Sequence, residues 1–174
     1  MIQNQMLSPH FSLKEMTDSQ TAVRYGIANV PSEQEIENLR RLCQGTLEPL
    51  REALQLPVVI TSGFRTKALN DKLAHSSERS QHMQGCAADF YVSSAGSIVQ
   101  GSKVQGSREL LIRAFREILT NPKIDYDQLI LYPNFIHVSY VSKERNRHNI
   151  LKARSDGKLG YGKLSHANAL LLNY

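Results

Sequence analysis

Ser80-Gln81-His82-Met83-Gln84-Gly85-Cys86-Ala87-Ala88-Asp89-Phe90 is the stretch on which the reading of this chain turns. From Gly85 to Tyr91 it has the composition of a strand. Side chains alternate along a strand, so Ala87, Asp89 and Tyr91 share one face and Cys86, Ala88 and Phe90 the other. Asp89 can thus face a cleft while Phe90 faces the core, and Cys86 is read as a small core residue pointing away from Asp89. Upstream, His75 to Gln81 is polar and reads as a surface loop ending at His82. Gly85 lets the backbone turn between them, so that His82 and Asp89 can reach one point.

Working outward, Leu56-Pro-Val-Val-Ile-Thr61 is a β-branched run that reads as a buried strand, with Ser62-Gly63 turning the chain toward Arg65. Thr66 to Ala74 carries helix formers. Ser12 and Glu15 have capping-box spacing and start a short helix. Pro31-Ser32 with Glu35 starts a longer one, in which Ile36, Leu39, Leu42, Cys43, Leu47, Leu50 and Leu54 recur at helical spacing. Gly45 and Pro49 should kink or split it near residues 45 to 48. Toward the C-terminus, residues 93–106 are rich in Ser and Gly and read as a long flexible loop. Leu110, Leu111, Ala114, Phe115 and Ile118 mark an amphipathic helix, and Asp127 to Tyr140 reads as a hairpin turning at Pro133-Asn134. From about residue 153 the chain is a polar, glycine-bearing tail.

The 174 residues suit a single domain, residues 1–174, large enough to fold without disulfides or metal. Cys43 and Cys86 are expected as free thiols. Lysine and arginine number 21 against 16 acidic residues, and the +5 excess is scattered, so nucleic-acid binding is not indicated, whereas an anionic polymer would suit it. No basic segment followed by an apolar run opens the chain, and no stretch is long enough to span a membrane. The expectation is a soluble monomer, cytoplasmic as synthesised, which reaches any external substrate after release or export.

Catalytic zinc takes three ligands from His and carboxylate and leaves a fourth position for water. His82 and Asp89 offer two. His137 offers a third from the second hairpin strand, where Phe135, His137 and Ser139 share a face. Spacing alone also permits a plain structural reading, in which all three are ordinary polar residues. His10, His75, His148 and His166 lack a supporting pattern and are read as surface histidines.

Ser62-Gly-Phe-Arg65, Leu69-Asn70, Ser80 to Phe90 and Phe135-Ile-His-Val-Ser-Tyr140 together resemble, in order and spacing, the M15 family of zinc peptidases. That family includes D-Ala-D-Ala carboxypeptidases, L-alanyl-D-glutamate endopeptidases and phage endolysins, and the likeness is to its small single-domain branch, over roughly Phe11 to Leu151. The resemblance implies an α+β fold, a small antiparallel sheet packed with helices, and a zinc site in a cleft on the sheet. It implies zinc held by His82, Asp89 and His137, and Arg65 holding a substrate carboxylate or the developing oxyanion. Ser80 and Gln81 either contact substrate or cap the loop. Peptidoglycan stem peptides are the implied substrate.

One departure stands out. Family members carry a carboxylate near the third ligand as general base. Here Asn134 lies three before His137, and Gln128-Leu-Ile-Leu-Tyr132 contains no Glu. With Pro133-Asn134 as a two-residue turn, Tyr132 pairs with Phe135 and Ile130 with His137, so Gln128, Ile130 and Tyr132 share the metal face. Tyr132 could donate to an oxyanion, but a phenol with a pKa of about 10 is a poor base. Asp125 and Asp127 are nearest in sequence, yet this register turns Asp127 away. A metal-stabilised cell-wall-binding module without turnover is therefore the alternative.

Overall fold

The computed structural model describes residues 5–74, 76–94, 107–153 and 161–172. The loop expected at 93–106 lies almost wholly outside them, as does His75. A hairpin, β1 (Met6–Ser8) and β2 (Phe11–Ser12), leads into α1 (Leu13–Thr17), whose first turn is capped by the Ser12 hydroxyl accepting from the Glu15 amide at 3.2 Å. After α2 (Gln20–Tyr25) comes α3 (Glu33–Leu42), opened by a full capping box between Ser32 and Glu35.

The long helical pattern is broken where Gly45 and Pro49 predict, but as a π-helical turn, Cys43–Leu47, before the path resumes as α4 (Glu48–Leu54). The turn has a use. Pro49 has no amide to give the carbonyl four residues earlier, and that carbonyl, Gly45 O, instead accepts from the Asp125 amide at 3.1 Å. Thr46 Oγ1 adds a 2.6 Å bond to the Asp125 carbonyl, so the break pins the segment entering the site's hairpin. Beside it the buried Glu48 carboxylate accepts from Ser8 Oγ and the His10 amide and pairs with the His10 ring, tying β1 to the helix.

The main sheet orders β3 (Val58–Ser62), β4 (Ala87–Val92), β6 (Ile136–Ser139), β5 (Gln128–Leu131), β7 (Asn149–Ala153) and β8 (Tyr161–Lys163). The fold is α+β with a small antiparallel sheet, β1–β2, as expected, but the larger sheet is six-stranded and mixed, because β7 runs parallel to β5 and antiparallel β8 extends it. Past 154–160, which are not described, the polar C-terminal stretch supplies β8 and α7 (His166–Leu170). The run read as a buried strand is the sheet's edge, with Val58 buried and Thr61 exposed. The helix expected over 66–74 is a single turn, α5 (Lys67–Asn70), capped by Thr66.

Alternation divides the sheet into two faces. Ala88, Phe90, Val92, Leu129, Leu131, Ile136 and Val138 join the core formed with α3, α4 and α6 (Arg108–Thr120), which contributes Leu111, Ile112, Phe115 and Ile118. Cys43 and Cys86 are buried free thiols, and burial pushes both thiol pKa values up. The opposite face, with Asp89, Gln128, Ile130 and His137, lines an open cleft. Among the described residues no helix is long and apolar enough to cross a membrane.

Two glycines allow the loops beside the cleft to approach the helices. At Gly63 a Cβ would lie 2.3 Å from the Met16 carbonyl oxygen; at Gly85, whose φ is +68°, it would lie 2.4 Å from that of Glu35. Both neighbours are backbone and cannot rotate away. Gly63→Ala is therefore expected to cost about 2–3 kcal/mol in chemical denaturation, whereas Gly162→Ala, whose Cβ meets nothing nearer than 3.9 Å, should change stability little.

Candidate metal centre

Sheet register brings the three candidate ligands together. Asp89 lies directly opposite His137 in the β4–β6 pairing, and His82 arrives on the 3₁₀ turn Gln81–Gln84, which ends at Gly85 in the left-handed conformation. One atom from each residue converges. His137 Nδ1 lies 2.8 Å from Asp89 Oδ1 and 3.2 Å from His82 Nε2, and His82 Nε2 lies 3.3 Å from Asp89 Oδ1. Zinc bonds of about 2.0–2.1 Å in a tetrahedron put neighbouring ligand atoms roughly 3.3 Å apart, which these separations approach.

The hydrogen bonds around the ligands fix their chemical form. His82 Nδ1 is 2.7 Å from the Gly63 carbonyl oxygen, which can only accept, so the proton sits on Nδ1 and Nε2 presents a lone pair to the cluster. That lone pair faces a carboxylate oxygen, an arrangement that needs a proton or a cation between them. Burial lowers the His82 pKa, with Asp89 opposing, and so favours the neutral ring that a metal requires. Burial alone would raise the Asp89 carboxyl, but His82 and His137 hold it far below the usual carboxylate range. The donor set of two imidazoles and one carboxylate fits zinc.

Arg65 lines the cleft, and the bonds it makes there are within the protein. Its Nη2 donates to Asp89 Oδ2 at 3.0 Å and its Nε to Ser62 Oγ at 3.0 Å, while its amide donates to the His82 carbonyl at 3.2 Å. It thereby orients Asp89 with Oδ1 toward the histidines, and it also lines the cleft. The loop bearing it is anchored by Asn29, whose amide donates to the Thr17 and Phe64 carbonyls and whose oxygen accepts from the Thr66 amide.

The hairpin adopts the expected register, with Ile130 opposite His137 and the Tyr132 amide bonded to the Phe135 carbonyl at 3.0 Å. Tyr132 stacks on Phe135 at 4.2 Å, and both line the cleft with Ser80 and Gln81. Asp127 is the correction. Asp127 lies at a bend immediately before β5; its amide donates to the Ser139 carbonyl and the Gln128 amide donates to the Ser139 hydroxyl, so strand alternation does not extend back to Asp127 and both residues line the cleft. No register shift is needed.

Asp127 is nonetheless not poised as a base. It accepts from the Arg147 amide, Nε and Nη2, from Gln81 Nε2 at 2.9 Å and from Ser139 Oγ. Burial works against its charge, but these donors hold its pKa at about 2. Through Gln81 it steadies the turn that carries His82. This network is invisible in the sequence, where Arg147 is one of several charges in a polar run. His10 and His148 are half exposed, as expected of surface histidines, though His148 Nε2 contacts Asp125 Oδ1 at 2.7 Å; His166 is exposed.

The cleft encloses about 790 Å³. A family model described as Peptidase M15 matches residues 9–120, a span that contains Arg65, His82 and Asp89 and stops before His137. No curated protein matches the chain.

The Asp127 network carries a pH signature. Its folded pKa of about 2 lies below the ordinary unfolded value near 3.9, so the stability it supplies is complete above about pH 4 and is lost as pH falls toward 2. In chelator-treated protein, Asp127→Asn should flatten the fall in stability between those pH values relative to the parent, as measured by urea denaturation at stepped pH.

Proposed function

The chain belongs to the peptidase M15 family, a family of zinc-dependent metallopeptidases, and from that premise we propose that it is a single-domain enzyme hydrolysing a peptide bond in peptidoglycan stem peptides. The observation that carries the reading is the convergence of His82 Nε2, Asp89 Oδ1 and His137 Nδ1 in the lining of a cleft of about 790 Å³. These three residues would hold zinc, which when bound polarises the scissile carbonyl and lowers the pKa of a water. The chain's own groups bind and orient. Arg65 keeps Asp89 aimed, the Gly63 carbonyl keeps the His82 tautomer, and Tyr132 lines the same cleft as Arg65, where its phenol could donate to a carbonyl oxygen. Ser80 and Gln81 form the wall beside His82, with Gln81 engaged by Asp127.

A second reading, a zinc-stabilised wall-binding module without turnover, is favoured by one specific observation. Asp89 and Asp127 are the only carboxylates among the described residues lining the cleft, and both are held by arginine and other donors. Neither is available to take a proton from water.

Zinc titration followed by digestion of purified sacculi separates the readings. The proposal expects one zinc per chain, release of peptide fragments that stops on chelation and returns with zinc, and for His137→Ala a loss of zinc affinity of at least about a hundredfold, since even losing a residue that orients a ligand costs roughly 10–100-fold. Sacculi retained with an unchanged fragment profile would establish the binding module instead.

A further inference from the structure

The charge lining the cleft is not balanced. Among the described residues it presents four arginines, Arg65, Arg79, Arg145 and Arg147, against Asp89 and Asp127. Two of the four are consumed: Arg65 pairs with Asp89 at 3.0 Å, and Arg147 pairs with Asp127. Arg79 and Arg145 enter no ion pair among the described residues, and both are exposed. They come from two different segments of the chain that line the cleft. Arg79 belongs to the loop that leads into His82, and Arg145 to the segment between β6 and β7.

That second segment is held in place. Asn146 Nδ2 donates to Asp125 Oδ2 at 2.9 Å, the Val141 amide donates to Asn146 Oδ1 at 2.9 Å, and the Arg147 amide donates to Asp127 Oδ1 at 2.9 Å. Arg145 is thus carried on a fixed backbone bonded on both sides of it, which lowers the ordering cost of using it for recognition. A guanidinium placed this way matches a carboxylate in a two-pronged hydrogen bond. A neutral peptide would leave both cations without a partner, whereas an acidic one would complete the charge.

We propose that Arg79 and Arg145 are specificity residues that select peptides carrying carboxylates beside the bond placed over the metal site, in preference to the same peptides with those carboxylates amidated. The inference rests on the peptidase reading for the location of the substrate, but it concerns binding and can be tested apart from turnover.

The test measures equilibrium binding, by fluorescence anisotropy, of two labelled stem-type peptides to the zinc-loaded protein, one with free side-chain and α-carboxylates and one with both amidated. The parent should bind the acidic peptide roughly fivefold to tenfold more tightly, as two exposed charge pairs allow, with the preference shrinking as salt rises. Arg79→Gln with Arg145→Gln should erase the preference, bringing the two peptides to equal affinity, and Arg79→Glu with Arg145→Glu should reverse it. Equal binding of both peptides by the parent, or a preference that survives in the double Gln variant, overturns the proposal. Cleavage is followed in parallel: preference without cleavage removes the hydrolytic reading and keeps this one, and cleavage without preference does the opposite.

Discussion

The buried carboxylate of Asp89 is the constraint around which the rest is arranged. An ionised group at 13 % side-chain exposure is tolerated only if its oxygens are satisfied, and each has a partner: Oδ2 takes the Arg65 guanidinium, and Oδ1 faces both histidines. Every neighbouring element answers to that requirement. The β4–β6 register sets His137 opposite it, the edge strand delivers Ser62 and Arg65, and the turn ending at Gly85 brings in His82. Removing one partner would leave charge uncompensated in the others, which ties local stability to the metal-binding geometry.

A second layer of support lies in the helices. The Met16 carbonyl accepts the Phe64 amide at 2.7 Å and packs against Gly63, whose own carbonyl holds His82. On the other side, the π turn's Gly45 and Thr46 fix Asp125, two residues before the aspartate that grips Gln81 and Arg147. The Gly63 segment that holds His82 and the segment that carries Asp127 are therefore both referenced to the helices, the kind of preorganisation that a metal centre at these residues would need.

Much of this was legible in the sequence because it follows short-range rules. Period-two alternation placed Asp89 and His137 on one face and Phe90 and Val138 on the other, the Pro133-Asn134 turn gave the register, and the Ser32/Glu35 box marked the long helix. What escaped depends on long-range contacts or on local breaks in periodicity. Asp127 falls on the cleft side because it precedes β5 at a bend, where strand alternation does not apply and two consecutive amides turn to Ser139. The parallel β5–β7 pair and the late β8 strand escaped because pairing partners far apart in sequence leave no local signature. Arg65 was recognised as important, yet its geometry ties it first to Asp89, a link 24 residues long.

Zinc K-edge absorption spectroscopy on the loaded protein tests the centre most directly. Coordination by His82, Asp89 and His137 predicts a shell of nitrogen and oxygen at about 2.0–2.1 Å with the outer scattering of two imidazoles; a sulfur shell near about 2.3 Å, or only a single imidazole, would contradict it.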